Sequence, residues 1–148
     1  MHIQFKKLNE SAKVPTRGSE KAAGYDIYAC IATPDKTITI MPHTCQIIGT
    51  GFALEAPEGT FAAVFPRSGL STKYGLRLAN CVGVCDEDYR GEYMIAMYND
   101  SDIPHLIRDG ERIAQLIFIP YVAVEFEEVP ELTDSFRGVG GFGSTGID

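Results

Sequence analysis

Helical signals are almost missing from this chain. No stretch of ten or more residues places its apolar positions at a period near 3.6, so an architecture built on long amphipathic helices is not expected. A surplus of positive charge is missing as well. Lysine and arginine number 13 against 20 aspartates and glutamates, for a net charge of −7. Proteins that wrap nucleic acid usually present a basic surface, so this balance argues against a DNA or RNA polymer as partner. It leaves room for one small anion held by a local group of arginines. Long apolar runs are absent too. Met1 to Lys7 lacks the hydrophobic stretch of a signal peptide. The longest apolar stretch, Ile113 to Val124, is interrupted by Gln115 and Pro120 and is too short to span a bilayer. No membrane association is expected, and the expected location is cytoplasmic, or intracellular in a host for a viral chain. Cys30, Cys45, Cys81 and Cys85 are then expected as reduced thiols. No C-x-x-C pair occurs, which argues against a structural zinc site. Cys81 and Cys85 read instead as two small buried residues sharing one face of a strand.

What is present is ordinary for one globular domain: 148 residues, 45% hydrophobic and 22% charged. Short β-rich runs alternate with turn residues. Strands are expected at Ile3 to Leu8, Tyr25 to Cys30, Thr37 to Ile40, Cys45 to Leu54 and Thr60 to Phe65. Further strands are expected at Leu76 to Val84, Glu92 to Tyr98, Arg112 to Ile119 and Val122 to Phe126. Pro34-Asp35, Ala56-Pro57-Glu58-Gly59, Asn99 to Asp102 and Arg108-Asp109-Gly110 supply turns between them. This spacing points to an all-β sandwich, jelly roll or barrel. Ser68 to Tyr74 lacks the alternation and reads as a single short helix, with Ser68 or Ser71 as candidate cap.

Five segments carry chemistry. From Gly138 to Gly146, five of nine residues are glycine. Exposed backbone N–H groups of such a run form nests for phosphate oxygens. Ser144 and Thr145 add hydroxyls, Arg137 adds a planar cation, and Phe142 offers a ring with no core to join. A Walker A loop is excluded because Ser144 stands at the lysine position and no helix follows. A kinase glycine loop is excluded by its place at the chain's end. Pro66 to Leu70 joins an arginine and a serine to the start of the short helix, an anion-binding combination. Asn80 to Gly91 reads as a hairpin with an acidic turn, in which an apolar strand ends directly in Asp86, where a carboxylate can orient a water. Asp26, in Gly24 to Ile27, and Gln115, in Gly110 to Leu116, are polar residues inside apolar strands. Each by itself also reads as a satisfied core polar group.

Taken together, Ala22 to Ala29, Pro66 to Leu70, Val82 to Gly91, Gly110 to Leu116 and Arg137 to Gly146 resemble the five motifs of the trimeric dUTPase family, in the family's order. The resemblance spans essentially the whole chain. It implies a distorted jelly-roll β core over residues 1–136 and a C-terminal arm, 137–148, that closes a neighbouring subunit's active site in a homotrimer. The implied reaction is hydrolysis of dUTP to dUMP and pyrophosphate with Mg²⁺. The resemblance makes Asp86 the carboxylate that activates water at the α-phosphorus. Arg67, Ser68 and Gly69 would hold phosphates, and Gln115 would contact the α-phosphate region. Asp26 would touch Mg²⁺ only through water. The backbone from Asn80 to Val84, including Gly83, would read uracil with help from the Asn80 side chain. Tyr89 would underlie the deoxyribose and reject a 2′-hydroxyl. Arg137 would reach the γ-phosphate and Phe142 would cap the base. Gly143, Ser144 and Thr145 would line the terminal phosphates. Cys85 stands where the family usually has an aliphatic residue, and Glu111 replaces a common aspartate. Glu87 and Asp88 receive no role. Two alternatives share the fold: a dCTP deaminase relative, and a binding protein that engages a regulator.

Overall fold

Strand formation follows the apolar alternation. In a computed structural model that describes residues 2–141 of the chain, twelve strands and one helix are assigned among the described residues. They are β1 (Phe5–Lys7), β2 (Thr16–Arg17), β3 (Tyr25–Tyr28), β4 (Thr37–Ile40), β5 (Cys45–Ile48), β6 (Phe52–Leu54) and β7 (Thr60–Phe65). Then come α1 (Ser68–Tyr74), β8 (Leu76–Leu78), β9 (Gly83–Cys85), β10 (Ile95–Asn99), β11 (His105–Arg108) and β12 (Arg112–Pro120). In β10, Ile95, Met97 and Asn99 point inward while Ala96 and Tyr98 are half-buried, as a period of two requires.

The largest sheet has the order β2-β3-β12-β7-β9, with every neighbouring pair antiparallel. A second sheet is β5-β10-β8, and two-stranded ribbons β1-β6 and β4-β11 complete an all-β fold of the jelly-roll kind. Ile27, Ile40, Ile48, Phe52, Leu78 and Met97 are sealed in the shared core, each stabilising the fold by about 1.5–3 kcal/mol of apolar burial. Two polar residues, Thr50 and Asn99, are sealed in the interior. Asn99 Nδ2 donates to the Ile40 and Ile103 carbonyls at 3.1 and 2.8 Å, and its Oδ1 accepts from Ser101 N at 2.9 Å.

Two expected strands are each divided. The run Cys45 to Leu54 breaks at Gly51, whose φ is 69°. A Cβ there would lie 2.7 Å from Cys30 Sγ and 3.0 Å from Ala12 Cβ, so only glycine fits. The break sends β5 to β10 and β6 to β1. The run Leu76 to Val84 breaks at Cys81, with φ 61°, where Val82 N donates to Asn80 O at 2.6 Å across a three-residue turn. Consequently β8 joins β10 and β9 joins β7. The segment from Asn80 is therefore a crossover between sheets, not the expected hairpin. Cys81 is exposed on that turn and does not share a strand face with Cys85. Strands β2 and β11 were not expected. Val122 to Phe126, expected as a strand, pairs with nothing among the described residues, and Val122, Val124 and Phe126 stand exposed.

The helix appears over the expected residues, but its cap differs. Arg67 is the N-cap, in extended backbone and without a side-chain capping bond. Ser71 Oγ turns back to the Arg67 and Leu76 carbonyls at 3.3 and 3.2 Å. Gly75 closes the helix with φ 66°.

Candidate active site

The crossover at Cys81 builds the first half of the site. Strand β9 lies at the edge of the large sheet, so one side of its backbone bonds β7 and the other has no strand partner. That open edge faces a cavity of about 260 Å³ walled by Val64, Asn80, Gly83, Val84, Asp86 and Tyr89. Gly83 opposes Val64 in register, and a Cβ on it would approach Val64 Cβ to 3.2 Å, so glycine permits the close packing of strand and wall. Asp86 follows β9 directly and is exposed at the rim, and it also borders an adjoining cleft with Phe61 and Tyr121. Its neighbour Glu87 is occupied structurally, accepting from Gly59 N at 2.8 Å and Tyr121 Oη at 3.1 Å. Burial, and secondarily the nearby Asp86 charge, pushes the Cys85 thiol up to about 11. The sulfur is thus a protonated packing group beside the carboxylate, and a poor nucleophile.

Tyr89 forms the other wall. Its hydroxyl donates to Glu92 O at 2.9 Å and its ring lies over Gly91, where a Cβ would come within 2.5 Å of the phenol oxygen. Glu92 is fixed in turn, its Oε1 accepting from Thr50 N at 3.0 Å and Gly51 N at 2.8 Å.

The second half is charged and lies across the sheet. Register places Asp26 on β3 opposite Gln115 on β12, and Gln115 opposite Phe65 on β7, next to Pro66 and Arg67. Asp26 is largely covered and its two oxygens meet Arg67 Nε at 2.9 Å and Arg112 Nη1 at 3.1 Å. Arg67 Nη1 also donates to Arg112 O at 3.3 Å. Gln115 Nε2 donates to Pro66 O at 2.9 Å, and its Oε1 sits where a Cβ on Gly24 would be, 2.7 Å away. Gln115 therefore pins the loop that carries Arg67. Ser68 and Gly69 are exposed on the first turn of α1. Arg67 and Arg112 border a broader groove of about 540 Å³ with Tyr28 and Arg108.

The cavity beside β9 includes none of Asp26, Arg67 and Gln115, and the groove at Arg67 includes none of Asn80, Gly83, Val84, Asp86 and Tyr89. One chain thus groups Asn80, Gly83, Val84, Asp86 and Tyr89 in one place, and Asp26, Arg67 and Gln115 in another. Arg137 joins neither. It is exposed and its Nε donates to Gly140 O at 2.8 Å within a local turn. Phe142, Gly143, Ser144 and Thr145 lie outside the described residues. Sequence reasoning assigned no role to Arg112, Glu92 or Tyr93. Arg112 carried a signal, a cation at the start of a strand whose register partners include Asp26's strand. The other two are visible only once Tyr89 is folded onto Gly91. No group of three His, Cys, Asp or Glu side chains among the described residues is arranged to hold a metal. No helix there is long and apolar enough to cross a membrane.

Fold and site define an all-β protein with a small ring-sized cavity at an open strand edge and a separate arginine–carboxylate cluster. The dUTPase family profile matches residues 10–146. A deoxyuridine 5'-triphosphate nucleotidohydrolase of Desulfitobacterium hafniense is 44% identical over 146 residues, covering 98% of this chain and 95% of the relative. Another, from Paramecium bursaria Chlorella virus 1, is 46% identical over 145 residues, covering 98% of each chain. Among solved structures, a mutant dUTPase of Staphylococcus bacteriophage 80alpha with dUpNHpp superposes with a TM-score of 0.88 at 30% identity, covering 99% of each chain. The chain belongs to the dUTPase family.

Proposed function

We propose that this chain hydrolyses dUTP to dUMP and pyrophosphate, at sites each completed by neighbouring copies in a homotrimer. The observation that carries the reading is the open edge of β9 ending in Asp86, with the Tyr89 ring across the cavity. Uracil presents alternating carbonyl and N–H groups along one edge, and a free strand edge offers the complementary backbone groups. Gly83 and Val84 supply them, and the Asn80 amide adds a side-chain partner. The Tyr89 ring fills the space a 2′-hydroxyl needs. A cavity of about 260 Å³ is small for a whole nucleotide. The triphosphate must extend out of it, past Asp86.

Asp86 holds a water and accepts its proton as the water oxygen bonds to the α-phosphorus. The bond from that phosphorus to the oxygen bridging to the β-phosphate breaks, and pyrophosphate leaves with that oxygen. Carboxylates in general are weak bases near neutral pH, so positioning and charge neutralisation supply most of the rate. Arg67, Ser68 and Gly69 hold phosphate oxygens, Gln115 keeps their loop in place beside the α-phosphate, and Arg137 with Phe142, Gly143, Ser144 and Thr145 close the site as an arm. The separation of the two halves within one chain is what favours sharing between copies.

The donor set fits Mg²⁺ only in an outer shell. Asp26 has both oxygens engaged by arginines, and a Mg²⁺ carried on phosphates keeps several waters that such a carboxylate can accept from. When bound, the ion withdraws charge from the triphosphate and favours departure of pyrophosphate. Pyrophosphate release measured with dUTP, dCTP, dTTP and UTP, with and without Mg²⁺, tests the assignment. Release from dUTP alone is expected; a preference for dCTP, or no release at all, would overturn it.

A further inference from the structure

We infer that Tyr93 is a positioning residue for sugar discrimination, acting as a rigid backing for the Tyr89 ring; this rests on the dUTP reading above. Tyr89 is 38% exposed, so one of its faces has solvent and not core behind it. What holds it is the bond to Glu92 O, the glycine beneath it, and the tilted ring of Tyr93. The two rings lie 5.8 Å apart at 57°. Tyr93 is 1% exposed and is itself stacked on Phe52, at 5.5 Å and 23°, which in turn meets Phe5 at 5.2 Å. Its backbone is tied at both ends: its N–H donates to Phe52 O at 3.0 Å, and its carbonyl accepts from Thr50 Oγ1 at 2.5 Å. A ladder of four rings therefore runs from β1 through the core to the cavity wall.

Stiffness is what such a wall needs. An apolar pocket rejects an isostere that gains a hydroxyl by only about a hundredfold, whereas a hydroxyl that replaces a hydrogen can be excluded by a wall that does not yield. A ring wedged against a second ring has less freedom to retreat than one backed by a flexible aliphatic chain. The Tyr93 hydroxyl contributes nothing to this: it is buried without a hydrogen-bond partner among the described residues. The ring is the functional part.

The ratio of kcat/KM for dUTP to that for UTP reads the effect. Tyr93→Leu keeps an apolar core residue and removes the flat backing, and should lower the ratio at least tenfold, chiefly by lowering KM for UTP. Phe52→Leu, one rung further from the cavity, should move it the same way by a smaller factor. Tyr93→Phe keeps the ring and must retain the wild-type ratio. If Tyr93→Leu loses both activities in proportion, leaving the ratio unchanged, Tyr93 is only structural and the inference fails. A fall in Tyr93→Phe would also overturn it, and that variant is isosteric enough to fold should the leucine variants not. Wild-type protein inactive on dUTP would instead sink the dUTP reading, a result distinct from an active wild type with an unmoved ratio.

Discussion

Asp86 owes its place to the backbone conformation of two residues. Cys81 takes the positive-φ turn that releases β9 from β8, and Gly83 lets β9 pack on Val64. The carboxylate is then delivered to the cavity rim by a rigid strand. Asp86→Asn keeps the shape and removes the proposed proton acceptor. It should bind a non-hydrolysable dUTP analogue as wild type does while kcat falls by about 10²–10⁴-fold, measured by calorimetry and pyrophosphate release. Full turnover would sink the assignment. The position of this carboxylate, directly after a strand, was readable from the sequence because an apolar run stopped at it. Tyr93 was not readable, since a tyrosine in a strand-like run looks like any core aromatic until its neighbours across the fold are known.

Beside Asp86, the Cys85 thiol predicts an alkaline limit to stability. An unfolded chain gives up this proton near the ordinary value of 9.0, whereas the folded chain holds it to about 11. Between those values the unfolded state binds fewer protons, so stability falls as pH rises through that window and levels off above it. Burial shifts the Tyr93 hydroxyl upward as well, which extends the decline at higher pH. Urea unfolding at intervals from pH 8 to 11 should show the loss starting near pH 9, and Cys85→Val should flatten its first part. A wild-type profile flat to pH 11 would contradict the burial of the thiol.

Among the elements, runs that alternate cleanly and lie between turns were legible: β4 and β7 span Thr37–Ile40 and Thr60–Phe65, as expected. The long runs were legible as strand but not as two strands. A period-two pattern continues across a hinge without change, and only the backbone angle at Gly51 or Cys81 marks the break. β11 escaped because His105 to Arg108 is short and polar at both ends. Gly51 offers a test of how much the hinge matters. Gly51→Ala must tolerate positive φ and an approach of 2.7 Å to Cys30 Sγ, for a loss of roughly 2–4 kcal/mol. Gly59→Ala has φ 72° but nothing within 4 Å, and should lose about 1 kcal/mol from the backbone alone. Equal losses in urea melts would mean that the close packing at Gly51 contributes nothing.

At the scale of the whole molecule, the two groups of candidate site residues lie apart within one chain. Asn80, Gly83, Val84, Asp86 and Tyr89 line one cavity while Arg67 borders another, and past Tyr121 the chain exposes Val122, Val124, Phe126 and Leu132. Alternation at 122, 124 and 126 suggests a strand, but none forms there, because these residues have no partner among the described residues. Sequence cannot supply that partner if it belongs to another copy. Apolar surface of this kind is costly in water and favours association. Sedimentation at micromolar concentration should therefore show a trimer. Removing residues 137–148 takes away Arg137 and the glycine-rich stretch but leaves 122–136, so it should abolish efficient dUTP hydrolysis while the trimer persists. Removing everything after Tyr121 takes the exposed apolar stretch at 122–126 as well and should weaken the trimer itself. A monomer in the intact chain would remove the basis for shared sites. Unchanged activity without residues 137–148 would show that the arm is dispensable and that the two halves must be closed by other means.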